Sequence, residues 1–118
     1  MIPLDPAHLV GTGGAVGALA RYYLGQAVDQ ESFPVGTLTV NVVGSFVLGL
    51  LTFLAPAESV VLLVGVGACG SFTTFSSFAV DTVRLWEEGR PAVAAGNAAV
   101  NLAGALAAIG LAWLLASL

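Results

Sequence analysis

The residues best suited to chemistry cluster in Gly67-Ala68-Cys69-Gly70-Ser71-Phe72-Thr73-Thr74-Phe75-Ser76-Ser77-Phe78, where two glycines and five hydroxyl side chains share twelve positions. Such a run sustains a continuous helix poorly. In an apolar setting it has two readings. It is an interruption whose freed carbonyls hold a cation or line water, because lipid cannot satisfy them. Or it is a packing face whose hydroxyls bond back to their own helix. Phe75 and Phe78 stand three apart and share a face, with Thr74 and Ser71 close by. Ring edges are positive, so an edge-on pair in a polar crevice carries an anion without formal charge; packing against lipid or a neighbouring helix is the plainer role.

Asn41, Asn97 and Asn101 lie in apolar runs elsewhere. An amide in hydrocarbon is costly unless hydrogen-bonded, so each must face protein or water, lining a pathway or gluing helices together. Arg21, in Gly17-Ala18-Leu19-Ala20-Arg21-Tyr22-Tyr23, either snorkels to an interface beside its tyrosines or stands at the base of an aqueous vestibule and draws anions. Asp81 and Arg84, three apart, predict an interfacial ion pair of small worth.

The rest of the composition excludes most other chemistry. Only 8% of the 118 residues are charged and 58% are hydrophobic, too little charge to solvate a soluble surface. Arg21, Arg84 and Arg90 are the only fixed cations against seven acids, so nucleic acid is not the partner. The single Cys69 forms no internal disulfide and reads as a small buried residue, and a lone His8 gives no zinc spacing. No nucleophile–base pair, phosphate loop or paired carboxylate is present, so the chain is not expected to be an enzyme. The first apolar stretch lacks a basic lead and reads as a retained span, not a signal peptide.

The elements that must position these residues are four transmembrane helices in one domain covering residues 1–118. A span needs about 20 apolar residues. Residues 9–28, 36–54, 59–85 and 92–117 qualify, divided by Asp29-Gln30-Glu31-Ser32 with Pro34, by Ala55-Pro56-Ala57-Glu58, and by Trp86 to Pro91. Such short loops make neighbouring helices antiparallel. Fifteen glycines suit close helix contact in lipid. Gly13 with Gly17 and Ser45 with Gly49 have small-xxx-small spacing, and Asn97, Asn101, Gly104 and Ala108 form a one-face stripe. Four helices leave no wide pore, so a path across the membrane calls for a second subunit.

These segments together resemble the Fluc (CrcB) family of fluoride channels. Gly13-Gly14-Ala15-Val16-Gly17-Ala18-Leu19-Ala20-Arg21-Tyr22 is similar to its first-span signature, Gly36 to Phe46 to its second-span motif, and Gly67 to Phe78 to its third-span break. The resemblance implies an all-α membrane protein with the third helix broken at mid-membrane. It implies an antiparallel, dual-topology dimer with two narrow pathways along the subunit interface. The activity implied is passive, fluoride-specific export across the cell membrane, lowering cytoplasmic fluoride and its toxicity. Asn41 matches the pore asparagine, Phe75 and Phe78 the pair whose ring edges meet the ion, and Arg21 the arginine beside the vestibule. Thr74, Ser76 and Asn101 complete the expected fluoride pathway. Gly70 and Thr73 match positions whose carbonyls, from both subunits, cage a structural sodium ion that is not transported. Asp81 stands where the family usually has glutamate. Asn97 and Asn101 stand where it commonly has tyrosine and a hydroxyl residue. Neutral donors suit fluoride, whose tightly held water must be replaced without trapping the ion.

Arg21, Arg84 and Arg90 fall on one side of the four-span layout, which favours one insertion orientation. That pattern predicts pairing with an oppositely inserted homologous chain, whereas a homodimer needs insertion both ways. Two other classes fit less well. A proton-coupled multidrug exporter needs a carboxylate in the first span, and residues 9–28 contain none. A non-conducting scaffold leaves the mid-depth hydroxyls, phenylalanines and asparagines unexplained.

Overall fold

The computed structural model describes residues 4–118, and every described element is helical. Helix α1 spans Pro6–Val28; Asp5 caps it by accepting from Ala7 N at 2.8 Å, and Pro6 supplies the fixed φ of a first helical residue. Helix α2, Val35–Leu54, stops where Ala55 turns left-handed at φ 47° and Pro56 follows. Helix α3 comprises an α-helical turn, Glu58–Val60, a nine-residue π-helix, Val61–Cys69, and a last α-helical turn, Gly70–Phe72. Helix α4 is Phe75–Glu87 and helix α5 is Pro91–Ala116, with Gly89 at φ 77° making the turn between them.

Three stretches are long and apolar enough to cross a membrane: Val35–Leu54, Glu58–Glu87 and Pro91–Ala116. The chain is a multi-pass membrane protein. Helix α1, at 23 residues, has the length but not the apolarity, because Thr12, Arg21 and Gln26 dilute it. Large apolar side chains such as Val16, Leu102, Leu106 and Leu114 point outward with more than half their surface exposed, as a lipid-facing surface requires.

The glycines bring backbones into contact. A Cβ on Gly13 would overlap the Leu63 carbonyl, and one on Gly17 would overlap the Ala68 carbonyl and the Ser71 hydroxyl. Gly67 answers from α3, where a Cβ would lie 2.7 Å from Val10 O. Helix α1 therefore seats directly on the π-helical part of α3. Helix α2 lies along α5, with Gly49 against Ala112 and Gly104 against Val42. The expected stripe on α5 is buried at Asn97, Asn101 and Ala108 and continues through Ala112, while Gly104 is half-buried.

Candidate functional site

Helical geometry stops at Phe72 and restarts at Phe75, and the two residues between are extended: Thr73 at φ −83°, ψ 160° and Thr74 at φ −151°, ψ 123°. In an unbroken helix Thr74 N–H would reach the Gly70 carbonyl and Ser77 N–H the Thr73 carbonyl. Here Thr74 N donates to Asn41 Oδ1 at 2.8 Å, and Ser77 N donates to Thr74 Oγ1 at 3.1 Å. Both carbonyls thus lose their helical donors, three residues apart. Thr73 O accepts instead from Arg21 Nη1 at 3.3 Å, so Arg21 reaches into the protein rather than only toward an interface. A Cβ on Gly70 would meet nothing within 4 Å, which leaves the space beside that residue open.

Asn41 clamps the Thr74 peptide from both sides. Its Oδ1 takes the N–H and its Nδ2 donates to Thr74 O at 3.0 Å. Gly44, one helical turn further along α2, admits Thr73 so closely that a Cβ would overlap the Thr73 methyl. The Asn41 amide continues to Asn101 Oδ1 at 3.3 Å. Asn101 Nδ2 donates to Asn97 O at 2.9 Å and Asn97 Oδ1 at 3.0 Å, and Asn97 Nδ2 donates to Thr82 Oγ1 at 3.0 Å. Asn97 is fully buried and Asn101 nearly so, and no buried side-chain nitrogen or oxygen among the described residues lacks a partner.

Two concave spaces meet this cluster. One, of about 390 Å³, holds Arg21, Arg84 and Arg90 together with Asp29, Glu31, Asp81 and Glu88, and reaches Thr37, Val40, Ser77 and Thr74. The other, a groove of about 370 Å³, is lined by Asn41, Thr73, Thr74, Phe75, Phe78 and Asn101, with Gly44, Ser45 and Leu48 on its α2 side. Thr74 lines both. Phe75 and Phe78 lie with ring centroids 5.8 Å apart and planes tilted by 53°; Phe75 is 79% exposed. The groove's lining combines asparagine amides, hydroxyl residues and two aromatic rings and carries no formal charge.

Of the residues expected from sequence, Asn41, Phe75, Phe78, Thr74 and Asn101 come together in the groove, and Arg21 lines the vestibule. Ser76 is exposed, its hydroxyl 3.3 Å from Thr74 Oγ1, and lines neither space. The expected Asp81–Arg84 ion pair does not form. The only pair within 4.0 Å among the described residues is His8 with Asp5, and Asp81 Oδ2 instead accepts from Thr37 Oγ1 at 2.7 Å. The α4 backbone carries the Asp81 carboxylate toward α2, where Thr37 offers the nearer donor, while Arg84 is exposed. Sequence reasoning did not single out Thr37 or Thr82. Thr37 stands four residues before Asn41 on one face of α2, a signal in the sequence; Thr82 has none.

The family model for CrcB-like protein, Camphor Resistance (CrcB), matches residues 8–113. The chain belongs to the CrcB family. Among CrcB relatives, "Fluoride-specific ion channel FluC 2" of Haloarcula marismortui is 66% identical over 113 residues, covering 96% of this chain and 95% of its own length. "Fluoride-specific ion channel FluC 1" of Halobacterium salinarum is 56% identical, covering 93% and 92%. A bacterial CrcB relative, "Fluoride-specific ion channel FluC 1" of Yersinia pestis, is 43% identical over 87% of each chain. These CrcB proteins are named as channels, not enzymes.

Proposed function

We propose that the chain is a fluoride-specific ion channel that passively exports fluoride and so lowers its cytoplasmic concentration and toxicity. The observation that carries this reading is the groove in which Asn41, Asn101, Thr74, Phe75 and Phe78 converge, joined at Thr74 to a vestibule holding Arg21. The vestibule holds four carboxylates beside its three arginines, so the attraction for an anion is local, at Arg21 against Thr73, and the neutral groove replaces the ion's hydration without trapping it. Ser76 lines neither space and would touch the pathway only through its hydroxyl contact with Thr74. Helix α1 forms a fourth span beside the three apolar ones, and the Thr73–Thr74 interruption lies at mid-membrane in the third. The names of the CrcB relatives agree with the transported ion.

A groove open along one side needs a second wall. A second subunit inserted the opposite way, either another copy or a homologous chain, supplies it in the plasma membrane. The carbonyls of Gly70 and Thr73 are oxygen donors of the kind a sodium ion takes, although Thr73 O also accepts from Arg21 Nη1 and would have to be shared with or released by it. Two donors are too few, so the partner would contribute its own pair. Bound there, sodium would hold the interrupted strands of both subunits together without being transported.

Proteoliposomes containing only this chain test the reading. Potential-driven fluoride release without chloride release supports it. No fluoride release from folded protein, alone or with a homologous partner, refutes it.

A further inference from the structure

We propose that Asn97 and Thr82 are positioning residues that hold the Asn101 side chain against the Asn41 amide; the inference rests on the fluoride-pathway reading above. The hydrogen-bond chain running from Thr74 through Asn41, Asn101 and Asn97 to Thr82 has one polarity, fixed at both ends by backbone groups. At one end Thr74 N–H can only donate, so the Asn41 atom 2.8 Å away is Oδ1 and its Nδ2 faces Thr74 O and Asn101. At the other end Thr82 Oγ1 gives its hydrogen to Phe78 O at 2.8 Å, so it accepts from Asn97 Nδ2. That leaves Asn97 Oδ1 to accept from Asn101 Nδ2, and Asn101 Oδ1 to accept from Asn41.

The chain links α4, α5, α2 and the interruption, then returns to the helix that carries both phenylalanines. Both Asn41 amide hydrogens are occupied, and the bond to Asn101 is the longest at 3.3 Å. An anion entering the groove can take that hydrogen most easily. Asn97 and Thr82 act at a distance, since neither lines the groove. Without the Thr82 hydroxyl Asn97 loses the acceptor for its Nδ2 and its amide is free to turn over. Asn101 Nδ2 then keeps only Asn97 O, and the Asn101 Oδ1 that accepts from Asn41 is held less firmly, although the Thr74 peptide still fixes which way the Asn41 amide faces.

The test compares wild type, Thr82→Val and Thr82→Ser in liposomes, reading fluoride efflux and, in protein labelled with 15N-asparagine, the side-chain amide resonances. The sequence contains only Asn41, Asn97 and Asn101, so three amide pairs report the whole chain. Thr82→Val should move the Asn41 pair and slow fluoride efflux by about three- to tenfold, the effect of one lost hydrogen bond. Thr82→Ser should restore both to near wild type. An unmoved Asn41 pair, unchanged efflux, or no recovery with serine overturns the proposal. Thr82→Ala provides the same readings if the valine variant does not fold. If wild type carried no fluoride, the channel reading would fall, and the resonances alone would decide whether Thr82 and Asn97 hold Asn101 against Asn41.

Discussion

Removing the Asn41 amide should be among the most damaging single changes available to this chain. Asn41→Ala deletes two well-formed bonds to the Thr74 peptide, at 2.8 and 3.0 Å, and a longer one to Asn101 at 3.3 Å. A net hydrogen bond contributes about 1 kcal/mol, so the two short ones account for about 2 kcal/mol. Thr74 is only 8% exposed, and its N–H has no helical partner because the chain is extended there. Leaving such buried groups unpaired adds a desolvation penalty of about 1–3 kcal/mol, partly relieved by water entering the groove. The expected loss is roughly 2–4 kcal/mol. Reversible unfolding in mixed micelles, followed by the fluorescence of Trp86 and Trp113, measures it. A variant within about 0.5 kcal/mol of wild type would show that the interruption does not depend on Asn41, and the argument for the clamp would fail.

Other perturbations discriminate as clearly. Gly13→Ala should destabilise by on the order of 2–3 kcal/mol, because its Cβ would strike the Leu63 backbone, while the adjacent Gly14→Ala, with open space around it, should be neutral or stabilising by up to about 1 kcal/mol in the same unfolding assay. Arg84→Ala should leave stability within about 0.5 kcal/mol of wild type, since Asp81 bonds Thr37 and not Arg84; a larger loss would restore the ion pair. Replacing sodium by a large organic cation throughout purification should abolish fluoride efflux, and undiminished efflux would remove sodium from the Gly70 and Thr73 carbonyls.

Much of this arrangement was legible in the sequence because the bilayer allows few alternatives. Apolar runs bounded by Pro, Asp and Glu placed the helix ends within a few residues, and the glycine spacing on α1 marked a close-packing face whose partner, α3, only the fold shows. The dense hydroxyls of Gly67 to Phe78 left two readings open, an interruption and a back-bonded packing face. Ser71 does bond back to the carbonyls of Gly67 and Ala68, as a packing face would, while Thr73 and Thr74 leave the helix. The π-helix at Val61–Cys69 was not legible. Its i to i+5 bonds, such as Gly70 N to Gly65 O, lie where α1 packs on Gly67 and α2 on Gly65, and no local residue pattern encodes them. Asp81 was misread because spacing along one helix favoured Arg84, whereas tertiary packing brought Thr37 closer. The direction of the asparagine chain likewise follows from backbone groups that only the fold brings to its two ends.

The most direct test of the account is whether fluoride passes beside the two rings. Phe78→Ile keeps an apolar side chain of moderate size but removes the aromatic ring that lines the groove together with Asn41. In liposomes holding folded protein, potential-driven fluoride efflux should fall by at least about tenfold, the counterpart of about 1.4 kcal/mol, while stability changes little. Efflux at the wild-type rate would contradict the account, because it would place the ion's route outside the groove of Asn41, Thr74, Phe75 and Phe78.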